Sequence, residues 1–178
     1  MTTVKVLDKE FALSIPEKVI LEAIKQTANQ INAIESGKDV IFLAILNGSF
    51  MFASDLLKCI TFPAQISFTK LASYQGTQST ERVTELLGIS EDLTGKTVLV
   101  VEDIVDTGHT LEKIHQILSE KNVAEIKVVT CLYKPAAFKG SIPPDYVCIE
   151  IPNDFIVGYG LDYDGFGRNL RDIYSLVK

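Results

Sequence analysis

Seven consecutive apolar residues, Val40–Leu46, are the feature that most restricts how this chain can fold. A strand with one face in water alternates apolar and polar residues, so an unbroken run indicates a strand covered on both faces. Residues 97–101 and 126–132 form two further runs rich in Val, Ile and Leu. Strands of this kind are typical of a parallel sheet that lies between two layers of helices.

Helical segments alternate with these strands. Ser14-Ile15-Pro16-Glu17 has the pattern of a capping box, and it predicts a helix over residues 14–36. We predict further helices over residues 50–60 and 110–121, and further strands over residues 65–71, 82–89 and 146–151. Residues 82–89 are expected to pair antiparallel with residues 65–71. This alternation predicts an α/β fold: an open, mainly parallel twisted sheet flanked by helices.

Residues 151–178 differ from the rest of the chain, because four glycines crowd a short acidic and aromatic stretch. We expect this segment to lie over the sheet. Together with the N-terminal segment it would form a small hood over the carboxyl ends of the strands. A length of 178 residues suits one domain. We therefore predict a single domain over residues 1–178, with its core at about residues 36–150.

Composition excludes several classes of protein. A hydrophobic content of 47% excludes a disordered chain. Seventeen Lys and Arg against 23 Asp and Glu give a net charge of −6, which argues against binding to nucleic acid or an anionic membrane. Cys59, Cys131 and Cys148 are too few and too scattered for a disulfide framework. With no signal-like or membrane-spanning run in the sequence, we expect a cytoplasmic protein with reduced thiols.

Polar residues cluster where the run at 97–101 ends, and ligands of open α/β sheets bind at such strand ends. Glu102, Asp103 and Asp106 place three carboxylates within five residues. An unpaired buried charge costs several kcal/mol, so these groups must meet water, a metal or a ligand rich in donors. The start of the next predicted helix then offers free N–H groups and hydroxyls that suit a phosphate. This phosphate cradle consists of Thr107, Gly108, His109 and Thr110.

Carboxylates beside an anion-binding turn carry more information than either feature alone. A phosphate by itself would be repelled by the acids, whereas the hydroxyls of a phosphorylated sugar would donate to them. Mg²⁺ could join carboxylate, hydroxyl and phosphate oxygens. The sequence therefore predicts a sugar-phosphate site with a metal; the alternative is a solvated turn with an acidic cap.

Residues 98–108 resemble the phosphoribosyl-pyrophosphate signature of the type I phosphoribosyltransferases. Further blocks, in the same chain order, resemble the hypoxanthine–guanine branch of that family, and the resemblance spans residues 40–170. These blocks are Leu46-Asn47-Gly48-Ser49, Ser73-Tyr74, Lys134, and residues 155–163 with Arg168 beyond.

The resemblance implies transfer of the 5-phosphoribosyl group from phosphoribosyl pyrophosphate to hypoxanthine, and also to guanine, in purine salvage. The products would be IMP or GMP and pyrophosphate. Asp106 would be catalytic and would face N7 of the purine. Glu102 and Asp103 would hold the ribose and, with Asp162, bind Mg²⁺. The phosphate cradle would hold the 5-phosphate.

The resemblance also implies roles for the remaining blocks. Lys134 would bind the 6-oxo group, Phe155 would stack on the purine, and Ile156 and Asp162 would read its other edge. The pyrophosphate and the lid at residues 72–80 would involve Asn47, Gly48, Ser73, Tyr74 and Arg168. The family often has a cis peptide at Leu46–Asn47 and forms homodimers or homotetramers. Asn47 and His109 depart from the family pattern, where lysine is common at both positions.

Two of these residues also have purely structural interpretations. Lys134 could be a solvated lysine at a strand end, and Phe155 could be a core residue. Two other functions are also open. One is a phosphoribosyltransferase for another base (xanthine, adenine or a pyrimidine). The other is a non-catalytic regulator that senses phosphoribosyl pyrophosphate; the net charge of −6 speaks against its binding nucleic acid.

Overall fold

The computed structural model describes residues 2–72 and 84–177, which form two sheets and three helices. The elements in chain order are β1 (Thr3–Val6), β2 (Lys9–Ile15), α1 (Glu17–Glu35), β3 (Val40–Leu46), α2 (Phe50–Lys58), β4 (Gln65–Ala72), β5 (Thr84–Leu87), β6 (Thr97–Val105), α3 (His109–Ser119), β7 (Glu125–Tyr133), β8 (Tyr146–Glu150), β9 (Ile156–Val157) and β10 (Ile173–Leu176).

The larger sheet has six strands in the order β5-β4-β3-β6-β7-β8. Neighbouring strands in this sheet are parallel, except that β5 is antiparallel to β4. The mainly parallel sheet and its antiparallel edge strand are both confirmed. The order places β3 and β6 side by side at the centre of the sheet, so that the segments that follow them lie next to each other.

Both faces of the central strands are buried. Phe42 and Ala44 of β3 belong to a cluster that includes residues of α1 and α2, such as Phe52. Ile41 and Leu43 belong to a separate cluster that includes residues of α3, such as Leu111. Alternate residues of the strand thus face opposite helical layers. This arrangement explains why the run at Val40–Leu46 contains no polar residue.

The predicted end of β6 is wrong. We expected the strand to stop at residue 101, but its ladder with β7 continues to Val105, and Glu102 lies opposite Thr130. Strand pairing uses backbone groups, so an acidic side chain does not by itself end a strand. Glu102 and Asp103 therefore lie on the strand itself, in more buried and more fixed positions than a loop would provide.

The smaller sheet confirms the predicted hood. Its strand order is β1-β2-β10-β9, all antiparallel, so it joins the two ends of the chain. The hood reaches the carboxyl end of β3, because a β-carbon on Gly160 would overlap the carbonyl oxygen of Gly48. The hood thus lies beside the carboxyl ends of the strands, the edge of the sheet near which Glu102 and Asp103 are found.

The capping box predicted for α1 is wrong. Ser14 lies within β2, and α1 begins at Glu17 without a side-chain cap from the residues before it. Instead, the Glu17 N–H donates to Oδ1 of Asp172 at 2.7 Å, across 155 positions of sequence. A residue of the hood therefore satisfies a free amide of this helix, which a local pattern cannot reveal.

The three cysteines are free thiols, and Cys131 is buried. Among residues 2–72 and 84–177, no helix has the length and apolar character needed to cross a bilayer.

Candidate active site

Glu102 and Asp103 form an acidic pair on β6, in which Glu102 is buried and Asp103 is half-buried. The Glu102 residue is only 8% exposed, and its Oε2 is the one buried side-chain N or O atom without a hydrogen bond within residues 2–72 and 84–177. Burial raises the pKa of Asp103 to about 6. Burial, together with the negative charge of Asp103, raises the pKa of Glu102 well above its usual range. The pair is thus poised for a cation or for hydroxyl donors.

A cavity of about 330 Å³ lies in front of this pair. Its wall includes both acids and Asp162, together with the cationic residues Arg168 and Lys113. It also includes Gly48, His109 and Thr110. A site with both signs of charge suits a ligand that carries hydroxyl groups and several phosphates.

A second cavity, of about 220 Å³, follows the chain from Ile104 to Leu111 and also touches Glu102. It lies against the phosphate cradle, where Gly108 has φ +93° and precedes α3. The first amides of α3 have no partner within the helix, so they can donate to an anion. A β-carbon at Gly108 would lie 2.6 Å from the ring of Phe138. The turn at Gly108 thus brings the start of α3 to the wall of this cavity, and its binding of a phosphate stays a prediction.

Gly48 joins three parts of the site. The Leu46–Asn47 peptide is cis, as expected, and it leads directly into Gly48. A β-carbon at Gly48 would overlap the carboxylate of Asp103, and the hood contributes Gly160 on the other side. Only glycine fits between these two groups. Asn47, in contrast, is exposed, and its side chain is absent from the wall of the 330 Å³ cavity.

Lys134 and Asp106 are brought together. Lys134 is 7% exposed, and its Nζ lies 3.1 Å from Oδ2 of Asp106. Its backbone N–H donates to the carbonyl of Val105 at 2.9 Å. The interpretation of Lys134 as a solvated lysine is therefore wrong. The side chain of Asp106 is 44% exposed, so it can still meet a ligand.

Phe155 of the hood is 45% exposed and packs against Phe11 and Tyr163 at ring-centroid distances of 6.1 and 5.9 Å. The ammonium group of Lys9 lies 5.7 Å from the centroid of the same ring. The exposed part of the ring is available to a planar ligand. The next residue, Ile156, is buried in β9.

Asp162 and Arg168 form an ion pair at 2.7 Å. The other oxygen of Asp162 accepts the N–H of Gly165 at 2.7 Å, and Nη1 of Arg168 donates to the carbonyl of Gly160 at 2.7 Å. Both oxygens of Asp162 therefore have partners. Within residues 2–72 and 84–177, no group of three or more acidic, histidine or cysteine side chains forms a metal cluster, so the predicted set of three carboxylates is not assembled.

Most of the predicted site residues thus meet at one edge of the sheet. Ser73 and Tyr74 lie outside the described residues. Lys113 was missed by the sequence analysis, although its position four residues after His109 places both on one face of a helix.

Fold and site together define a phosphoribosyltransferase, and comparison with known proteins agrees. A family model described as "Phosphoribosyl transferase domain" matches residues 16–164. The chain therefore belongs to the phosphoribosyltransferase family, and it is an enzyme of the transferase class.

The branch of the family is visible in individual relatives. The chain is 38% identical to the hypoxanthine phosphoribosyltransferase of Escherichia coli K12 over 166 residues, which are 92% of this chain and 93% of that protein. It is 39% identical to the hypoxanthine-guanine phosphoribosyltransferase of Streptococcus pneumoniae over 160 residues, 89% of each chain. A crystal structure of a hypoxanthine phosphoribosyltransferase from Staphylococcus aureus matches with a TM-score of 0.88 at 38% identity, covering 93% of this chain and 90% of that one.

Proposed function

We propose that this enzyme transfers the 5-phosphoribosyl group of phosphoribosyl pyrophosphate to hypoxanthine, and also to guanine, in purine salvage. The products are IMP or GMP and pyrophosphate. The observation that carries the proposal is the acidic pair Glu102 and Asp103: both line the 330 Å³ cavity, and Glu102 also lines the cavity at the phosphate cradle. Few ligands other than a phosphorylated sugar combine hydroxyl donors with phosphates at that spacing.

The donor is held from both ends. Its 5-phosphate binds the amides at the start of α3 and the hydroxyls of Thr107 and Thr110 in the phosphate cradle. Its ribose hydroxyls donate to Glu102 and Asp103. Its diphosphate enters the 330 Å³ cavity, where Gly48 and Arg168 line the wall.

Mg²⁺ fits the acidic pair. Oε2 of Glu102 is buried without a partner, and the mutual repulsion of the two carboxylates contributes to the raised pKa of Glu102. A divalent cation would give the unpartnered oxygen a ligand and would offset the repulsion between the carboxylates. When bound, it would polarise the diphosphate as a Lewis acid. Glu102 and Asp103 would hold it directly or through the ribose hydroxyls. Asp162 lines the same cavity and could join them, since each of its oxygens has one partner and a second lone pair.

The base is recognised beside the donor. Lys134 donates to the 6-oxo group, a contact that disfavours adenine because the amino group at that position would leave the ammonium unpaired. Asp106 accepts the proton at N7. Phe155 stacks on the exposed face of the ring, and the backbone near Ile156 and Asp162 reads the other edge.

In the reaction, the bond between the anomeric carbon and the diphosphate oxygen breaks, and a bond to the purine nitrogen forms. Positive charge develops on the sugar, and Glu102 and Asp103 stabilise it from the side of the hydroxyls. The departing oxygens gain negative charge beside Arg168. Asp106 takes the proton that the purine loses. A lid over residues 72–80, cytoplasmic location and assembly into dimers or tetramers stay predictions.

The test is incubation of the purified protein with phosphoribosyl pyrophosphate and Mg²⁺, with each base in turn. Chromatography would separate the nucleotides formed from hypoxanthine, guanine, xanthine, adenine and uracil. We expect IMP and GMP. Formation of AMP or UMP alone would place the enzyme in another branch. Binding of the donor without turnover of any base would support the regulator.

A further inference from the structure

The charge of Arg168 is already balanced in the 330 Å³ cavity. One arm of its guanidinium binds Asp162 at 2.7 Å, and the other donates to the carbonyl of Gly160 at 2.7 Å. Asp103 and Glu102 add two more carboxylates to the same wall. Even with Mg²⁺ at the acidic pair, the negative charge of a diphosphate in this cavity is not balanced, so a further cation would stabilise it.

Lys113 is placed to supply that charge. It lies on α3, four positions after His109 and three after Thr110, and all three residues line the same cavity. Residues at these spacings share one face of a helix. Lys113 does not line the smaller cavity at the phosphate cradle. Lys113 therefore borders the cavity on the diphosphate side and not the cavity at the phosphate cradle.

The ammonium group of Lys113 is also uncommitted. Within the described part of the chain its hydrogen bond goes to Oε1 of Gln116 at 3.4 Å, which is long for such a contact. No carboxylate among those residues lies within ion-pair distance of it, whereas Lys134 is paired with Asp106. Asn47, the first residue after β3, is neutral and exposed.

We infer that Lys113 is a pyrophosphate-binding residue of this enzyme. It contacts the diphosphate of the donor and the pyrophosphate product, and it supplies the positive charge that Asn47 does not. The inference rests on the proposed function for the identity of the ligand. The geometry makes it specific: Lys113 serves the diphosphate and leaves the 5-phosphate to the phosphate cradle.

The test compares Lys113→Met with Lys25→Met, which removes the same charge from an exposed position on α1. Calorimetry would measure binding of pyrophosphate in the presence of Mg²⁺, and separately binding of IMP. We expect Lys113→Met to weaken pyrophosphate binding about tenfold, since hydrogen bonds to charged groups are worth more than neutral ones. IMP binding should change less than about twofold, and Lys25→Met should match the wild type in both.

Two results would overturn the inference. If Lys113→Met and the wild type bind pyrophosphate equally, the ammonium group does not contact the ligand. If IMP binding falls as much as pyrophosphate binding, Lys113 belongs to the 5-phosphate site. Pyrophosphate carries no base, so its binding can be measured and interpreted even if the proposed base specificity fails. Steady-state kinetics should agree, with a raised KM for phosphoribosyl pyrophosphate and an unchanged KM for the base.

Discussion

The Nζ atom of Lys134 lies 3.1 Å from Oδ2 of Asp106, although 28 positions separate the two residues in the chain. Lys134 follows β7 and Asp106 follows β6, and these strands are neighbours in the sheet. Under the proposed function, one residue reads the 6-oxo group of the base and the other manages the proton at N7. The ion pair therefore holds the two purine-reading groups in a fixed relation before the base binds.

Asp106→Ala should lower kcat by about 10²–10⁴, because it removes a positioned proton acceptor. The KM for phosphoribosyl pyrophosphate should change little, since the donor is held by the acidic pair and the phosphate cradle. Steady-state kinetics with each substrate varied in turn would measure both values. Turnover at the wild-type rate would remove the proposed role of Asp106.

Lys134→Met should reduce kcat/KM for hypoxanthine by about 10² or more, because it deletes a buried donor for the 6-oxo group. Relative to hypoxanthine, adenine should become a better substrate than it is for the wild type. Competition between the two bases in one reaction would give the ratio directly. An unchanged ratio would mean that another group reads the 6-oxo position.

Phe155→Ala should raise the KM for the base about three- to tenfold, because stacking contributes about 0.5–1.5 kcal/mol beyond burial. The KM for phosphoribosyl pyrophosphate should stay the same. Phe155→Tyr keeps the ring and serves as the matched control. If Phe155→Ala leaves the KM for the base unaltered, Phe155 is only a packing residue of the hood.

Phe138→Ala should raise the KM for phosphoribosyl pyrophosphate without an equal effect on the base. The ring of Phe138 packs against Gly108 and edge-on against Tyr133 at 5.6 Å, and the next N–H donates to the carbonyl of Thr107 at 3.1 Å. Loss of the ring would loosen the phosphate cradle from behind. Phe138→Leu should restore much of the packing. Equal changes in both KM values would point to general destabilisation.

Stability without ligand should depend on pH through Asp103. Burial raises its pKa to about 6 from an ordinary value of 3.8. Between these values the folded protein binds more protons than the unfolded chain, so the free energy of unfolding falls as pH rises. Asp103→Asn should remove this loss, which is on the order of 2 kcal/mol between pH 4 and pH 7. Urea denaturation with a chelator present, at several pH values, would measure it. Parallel pH profiles for the two proteins would contradict the assignment.

The central sheet could be predicted because its pattern is local and strong. An unbroken apolar run at Val40–Leu46 has one good explanation, and the structure shows it in the two clusters that its alternate residues join. The turn from β6 into α3 was predictable for the same reason, since Gly108 and its neighbours follow directly along the chain; its binding of a phosphate stays a prediction. The cis peptide at Leu46–Asn47 was expected from family resemblance, and no residue pattern predicted it.

The features that sequence analysis missed depend on contacts between distant residues. Ser14 looks like a helix cap until Asp172, from the far end of the chain, is found in that role. Glu102 looks like the end of a strand until its partner Thr130 is known. Lys113 is one more lysine on an amphipathic helix until the cavity that it borders is seen.

The two substrates depend on differently built parts of the chain. Residues 102–110, which would hold the donor, form one continuous segment of β6 and α3. The hood sheet needs β2 to pair with β10, and α1 is capped by Asp172. During synthesis on the ribosome, the segment for the ribose and the 5-phosphate is therefore made before the hood. The diphosphate, which needs Arg168, and the purine, which needs Phe155, must both wait for the hood.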